Sequence, residues 1–419
     1  MSALAIIVCI DGFDPEYLEA CDMPVFTQLA AVGQLTVGRS MMPSVTNVNN
    51  VSLVTASYPV VHGICSNYWL VRDSGEEVYT ESAEYILAET MFQRARSQGK
   101  RSVLITSKDK LRTLLSDGAT VSVSSERPPD WLVKELGPPP EIYSVEVNGW
   151  TIRAAGLVLQ RHPAEVVYVT TTDYAMHTYA PDEPESARHM ALLDEAIGGL
   201  VDANPDATLL VTADHGMSPK TRMVDVSGVL AARGIRARAV PIIKDRYVVH
   251  HANLGGCAYV YLDEADVPAA LDVLGDTPGV EDALRREEAA SELRLLADRI
   301  GDIVVTGDRV TVFGDPSEVE LPPGLRSHGS HHERDVPILA YNGDFRDFSF
   351  AENRDLGRYV FDHVLACPVS RFSSRRILAL RLVNRTKRVA GRPGTRANPR
   401  RPAGRSARPS SPRRNRCRC

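Results

Sequence analysis

No apolar run in this 419-residue sequence approaches the roughly 20 residues that a bilayer-spanning helix needs. The N-terminal "ALAIIVCI" is short, has no basic lead-in and runs straight into Asp11, so it does not read as a secretory signal and a cytoplasmic location is expected. Cysteine is sparse: seven residues, an odd number with no C-x-x-C pair, which argues against a disulfide framework. Acidic residues are missing altogether from Arg371 onward, where 17 of the 48 Lys and Arg residues lie. The first 370 residues therefore hold 31 basic against 53 acidic residues, a net charge of −22 hidden behind an overall −5. Rich in Arg, Pro, Ser and Gly, residues 371–419 cannot bury enough apolar surface to fold alone, and read as a disordered or aberrant extension. Such a basic arm could bind nucleic acid, but it lacks a recognition motif and has no aromatic residue after Phe372 for stacking. Nucleic acid is not the expected partner.

What remains is a soluble globular composition, 43% apolar and 24% charged, long enough for two to three domain-sized units. Short β-branched runs at 4–10, 101–107, 165–172, 207–213 and 335–341 read as buried parallel strands. Helical patterns at 81–97, 151–161 and 185–202 lie between them, so the fold class is α/β with a parallel sheet. A block at 240–315, with "CAYVYL", "VPAALDVLG" and "DIVVTG", reads as a smaller α+β insertion. The expected organisation is a core of 1–239 and 316–370, a lid segment near 108–150, a cap at 240–315 and the basic tail 371–419.

Chemically apt residues follow the strands. "IVCI" ends at Asp11, "VYVTTT" at Asp173, and "LLVTA" at Asp214 and His215. Open parallel sheets form their sites beyond the carboxyl ends of strands. Asp173 and His177 are spaced i, i+4 in "DYAMH", on one face of a turn or helix, and His328 lies in "RSHGSHHE" just before the last core strand. One such Asp is usually a cap and a lone His usually structural; three strand ends releasing Asp, two with His nearby, suggest a pair of metal sites. Mixed carboxylate and imidazole donors suit Zn²⁺ or Mn²⁺ better than Ca²⁺. Paired metals about 4 Å apart are a recurrent device for displacement at phosphorus. Thr46, in "MPSVTNVNN" at a helix start, is either a helix cap or the nucleophile of such a site.

The order Asp11, Thr46, Asp173/His177, Asp214/His215, His328 resembles the alkaline phosphatase superfamily, in its nucleotide pyrophosphatase/phosphodiesterase branch. The resemblance covers residues 4–366 and implies an alkaline-phosphatase-like three-layer core with a mainly parallel sheet, plus an α+β cap. It implies two Zn²⁺ per subunit, with Mn²⁺ or Fe²⁺ as alternatives. One would be held by Asp173, His177 and His328, the other by Asp11, Asp214, His215 and the Thr46 oxygen. Asn67 would donate to a phosphoryl oxygen. Within that branch, "TNVNNVSLVTASYPVVHGI", "SKDKLR" and "PIIKDRYVVHHANLG" are similar to phosphonoacetate hydrolases, which cleave a carbon–phosphorus bond. Lys108 and Lys110, alternating in "SKDKL" beyond a core strand, could then converge on the substrate carboxylate, aided by His250 or His251. Two positions depart from the branch: Val48 replaces an expected proline, and Ala56 an expected glycine. The implied activity is hydrolysis of phosphonoacetate to acetate and phosphate through phospho-Thr46. Alternatives are a nucleotide pyrophosphatase/phosphodiesterase, or a non-catalytic protein that binds nucleic acid through its tail. The expected partner is a small phosphonate, with no membrane association; a homodimer is left open.

Overall fold

A computed structural model describes residues 4–72, 74–245 and 252–366. His250, His251 and the basic tail 371–419 lie outside the described residues. Seven strands form the central sheet: β1 (Ala5–Cys9), β2 (Gln34–Arg39), β3 (Ser102–Thr106), β4 (Val121–Ser124), β5 (Val166–Thr170), β6 (Thr208–Thr212) and β7 (Asp335–Tyr341). Their order is β2-β7-β6-β1-β5-β3-β4. Central β1 pairs in parallel on both sides, Ile7 lying opposite Tyr168 on one side and Leu210 on the other.

Every residue of β1, β3, β5 and β6 is buried, and the alternation along β1 shows why. Ile7 and Cys9 pack into one apolar cluster, Ile6 and Val8 into another on the opposite face. A sheet covered on both faces demands apolar residues at consecutive positions. The covering helices include α1 (Thr46–Thr55), α2 (Asp109–Leu115), α3 (Val147–Arg161), α4 (Tyr174–Thr178) and α5 (Pro184–Ala203). Val48, Val51 and Val54 of α1 join the first cluster; Trp150 and Val158 of α3, with Leu193 of α5, join the second. The core is therefore three-layered, with a mostly parallel sheet.

Two expectations need correction. Strand β7 is antiparallel, to both β6 and β2. The chain reaches it from His328, already at the end of the sheet where the parallel strands finish, so it must run back. The pattern at 81–97 is not one helix but a short turn at Ala83–Tyr85 and a helix at Met91–Ser97. Thr90 and Gln93 form a reciprocal capping box that starts the helix afresh.

A separate antiparallel sheet orders Ala237–Pro241, Cys257–Leu262, Ile303–Gly307 and Val280–Arg285, with helix Val267–Gly275 packed on it. The chain then returns through Arg326–Ser327, which pairs with Ser218–Pro219 and delivers His328 to the end of the parallel strands.

Candidate active site

Four strands release polar residues at one end of the sheet: β1 into Asp11, β3 into Lys108, β5 into Asp173, β6 into Asp214 and His215. All four acidic and imidazole groups are buried. One ligand atom each of Asp11, Asp214 and His215 lies within 4.8 Å of the others, and the same holds for Asp173, His215 and His328. His177 Nε2 is 3.1 Å from Asp173 Oδ2. His215 and His328 stack with ring centroids 3.5 Å apart, so His215 stands between the two groups.

The imidazoles are aimed by their far sides. His177 Nδ1 donates to Arg326 O at 2.6 Å, His215 Nδ1 to Gly216 O at 2.9 Å and His328 Nδ1 to Ser44 O at 2.8 Å. A carbonyl can only accept, so each Nδ1 carries a proton and the Nε2 atoms are the ones turned toward the carboxylates, the orientation a metal-ligating imidazole needs. Asp214 is similarly held: Oδ1 accepts from Gly12 N and His215 N, Oδ2 from Asn50 Nδ2. Asp11 Oδ1, by contrast, is buried without a hydrogen-bond partner.

Thr46 is the first residue of α1 and not its cap. The capping position is Val45, which offers no side-chain bond. The Thr46 hydroxyl instead lies 3.4 Å from His215 Nε2. Asn67 is fixed by its backbone N–H to Ile242 O at 3.0 Å, and its Oδ1 accepts from Asn47 N at 3.4 Å. The donor end of its amide is what remains for a ligand. Thr46, Asn67, Lys108, Lys110, Asp173 and His328 line one cavity, together with Asp245.

The lysines meet carboxylates. Lys108 Nζ is 2.8 Å from Asp173 Oδ1 and 3.2 Å from Asp11 Oδ2, and Lys110 Nζ pairs with Asp245 Oδ2. Burial pushes the Asp11 carboxyl well above its ordinary pKa, helped by Asp173 and Asp214; burial lifts Asp214 to about 6. Burial opposes charge on Lys108 too, but Asp11 and Asp173 more than offset it and raise its pKa. Burial holds the His215 and His328 imidazoles below their ordinary value.

This donor set fits divalent cations. Three buried carboxylates face one ammonium, an unsatisfied carboxylate oxygen points inward, and oriented Nε2 atoms complete the shell.

Sequence reasoning missed the residues that tie the loops together. Ser44 Oγ donates to Ser330 O at 2.7 Å and accepts from Gly329 N at 3.1 Å, joining the Thr46 loop to the His328 loop. Buried Glu333 receives Lys220 Nζ at 2.9 Å, Ser330 Oγ at 2.8 Å and the Ser218 hydroxyl, joining the His328 loop to the His215 loop. A carboxylate in "HHERD" near a suspected ligand was the only signal available. Asp245 was likewise overlooked, and a cavity of about 520 Å³ beside Lys244 and Phe313 does not have Thr46 in its lining.

The profile of the family described as "Type I phosphodiesterase / nucleotide pyrophosphatase" matches residues 5–332. Venom phosphodiesterase of Naja atra is 24% identical over 51% of this chain, and human ectonucleotide pyrophosphatase/phosphodiesterase family member 1 is also 24% identical over 51%. The aligned part spans only 26% and 23% of those relatives' lengths. Among solved structures, phosphonoacetate hydrolase from Sinorhizobium meliloti 1021 in complex with phosphonoacetate superposes with a TM-score of 0.80 at 34% identity, covering 87% of this chain and 96% of that one. Murine ectonucleotide pyrophosphatase/phosphodiesterase 5 gives a TM-score of 0.65 at 18% identity, covering 86% of this chain and 95% of that one, a likeness of fold alone.

Proposed function

Because the chain belongs to the type I phosphodiesterase/nucleotide pyrophosphatase family, we propose that it is a zinc-dependent hydrolase that cleaves phosphonoacetate to acetate and phosphate. The observation carrying this reading is that Lys108 and Lys110 line the same cavity as Thr46 and Asn67, so two ammonium groups stand beside the nucleophile. Asp173, His177 and His328 would hold one cation, and Asp11, Asp214, His215 and Thr46 the other. Bound there, such cations neutralise phosphoryl charge and acidify a coordinated hydroxyl.

Thr46 Oγ attacks phosphorus, surrendering its proton, while the phosphorus–carbon bond breaks and its electron pair moves onto carbon. That pair delocalises into the adjacent carboxylate, which Lys108 and Lys110 stabilise more in the transition state than in the ground state. The carbon takes up a proton and acetate departs. Asn67 donates to a phosphoryl oxygen throughout. Water then attacks phospho-Thr46, restoring the hydroxyl and releasing phosphate. In this reading residues 240–315 act as a cap on the core, 108–150 as a lid, and the enzyme works in the cytoplasm.

A second reading, a nucleotide phosphodiesterase, draws on Tyr143. It lines an outer cavity of about 410 Å³ that shares Lys108 and Lys110, and its ring lies 5.6 Å from that of Tyr174. Such a pair could stack a base. Metal-loaded protein offered phosphonoacetate and a nucleotide phosphodiester separates the two. Release of phosphate and acetate supports the first; turnover of the diester alone moves the assignment to the second.

A further inference from the structure

One short segment touches both ends of the candidate substrate cavity. Leaving the small sheet at Pro241, the chain runs through Ile242, Ile243, Lys244 and Asp245. The carbonyl of Ile242 accepts from the Asn67 backbone N–H at 3.0 Å. Three residues later, Asp245 Oδ2 grips Lys110 Nζ, and the Asp245 side chain is only 4% exposed. Ile243 lies between, its side chain on the cavity wall. The far end of the segment is anchored too, since Asp245 N donates to Asn253 Oδ1 at 2.9 Å.

Asn67 belongs to the phosphoryl end of the site and Lys110 to the carboxylate end. They come from different parts of the chain, the first just ahead of the strand Tyr68–Leu70, the second in the first turn of α2. Nothing in their own elements fixes the distance between them. A lysine in a first helical turn is also disfavoured by the helix dipole, so its ammonium has no local reason to stay put. The Ile242–Asp245 segment supplies what is missing: a backbone carbonyl on one group and a buried carboxylate on the other, held at fixed separation by a turn that Lys244 N closes onto Pro241 O at 3.4 Å.

We propose that Asp245 is a positioning residue that, with the Ile242 carbonyl, acts as a ruler between the phosphoryl and carboxylate subsites. The class selected is short phosphonocarboxylates with one carbon between phosphorus and carboxyl. Longer chains place the carboxylate past Lys110, and shorter ones leave it short. Discrimination arises because an ammonium held in one place cannot follow a displaced carboxylate, whereas an untethered lysine, with four rotatable bonds, can. This rests on the proposed hydrolase reading for the identity of the two ends, but the residue contacts do not.

The test uses binding, because only phosphonoacetate places its leaving carbon next to a carboxylate and turnover would confound length with chemistry. Metal-loaded full-length protein carrying Thr46→Ala is titrated calorimetrically with phosphonoformate, phosphonoacetate and 3-phosphonopropionate. With Asp245 intact, phosphonoacetate binds at least tenfold tighter than 3-phosphonopropionate. Adding Asp245→Asn reduces that ratio to threefold or less, chiefly by weakening phosphonoacetate. An unchanged ratio, or equal weakening of all three ligands, overturns the ruler. Should Asp245→Asn fold poorly, Lys110→Met removes the pair from the other side and must collapse the ratio likewise. Failure of the underlying hydrolase reading is separate and visible: protein with Thr46 intact would then release no acetate from phosphonoacetate.

Discussion

The ammonium of Lys108 rests 2.8 Å from Asp173 Oδ1 and reaches Asp11 Oδ2 as well, so a single side chain joins carboxylates released by two different strands. Its own strand, β3, lies beyond β5, the neighbour of β1. Charge compensation at the heart of the site thus depends on a residue that also lines the cavity beside Thr46 and Asn67.

Lys108→Met should therefore destabilise the metal-stripped protein more than the zinc-loaded one. Removing one partner of a buried pair typically costs about 3–5 kcal/mol, and bound cations would take over the compensation. Urea unfolding in chelator and in zinc measures both. Equal losses in the two conditions would contradict the compensation role. In kinetics, Lys108→Ala and Lys110→Ala should cut phosphonoacetate turnover about a hundredfold, near 2.7 kcal/mol in barrier, and affect an activated aryl phosphate far less.

Thr46→Ala should abolish turnover while zinc content stays at the level of the unaltered protein. The hydroxyl caps nothing, its helix being capped at Val45 without a side-chain bond, so helix stability gives no reason for collapse. Elemental analysis and a phosphate-release assay decide; metal lost along with activity would mean that the oxygen matters as a ligand first.

Acid should weaken the fold through two histidines away from the candidate metal-ligand groups. Burial holds His62 at about 3 and His189 at about 4, against an ordinary 6.5. The unfolded chain therefore takes up protons first as pH falls. Their stabilisation is complete above about pH 6.5 and declines toward pH 4, at roughly 1.4 kcal/mol per pH unit for each histidine. His62→Gln should flatten the slope of unfolding free energy against pH by about that amount, whatever it does to absolute stability. A slope identical to that of the unaltered protein would remove His62 from the account.

Ala56→Gly should stabilise the protein by about 1 kcal/mol. Ala56 ends α1 in the left-handed conformation, φ 53° and ψ 26°, where a Cβ is crowded and glycine is not. A raised urea midpoint with unchanged kinetics is the expected result.

The sequence made the central strands legible because they are buried on both faces and so leave unbroken apolar runs, as Ile6, Ile7 and Val8 do. It hid β2, whose residues are mostly exposed at the sheet's edge and carry no periodic signal. The direction of β7 was illegible for another reason: strand polarity depends on where the chain enters, which no local pattern records. The acids and imidazoles could be found because they follow strand ends. Ser44, Asn50, Glu333 and Asp245 could not, since each matters through a partner far away in sequence. Val48 is the third residue of α1, where the N–H has no helical partner and proline would be tolerated equally, so nothing in the structure explains the valine.

The position of β1 carries a consequence for how the molecule is made. Ala5–Cys9 is synthesised well ahead of both strands it pairs with, Val166–Thr170 and Thr208–Thr212. At about 5–20 residues per second, the wait for the second neighbour lasts on the order of 10–40 s. Throughout that interval the nascent chain carries an uncharged β-forming pentapeptide with at least one edge unsatisfied. Synthesis of this protein therefore leans on whatever shields an emerging strand, and slow decoding ahead of residue 212 prolongs the exposure.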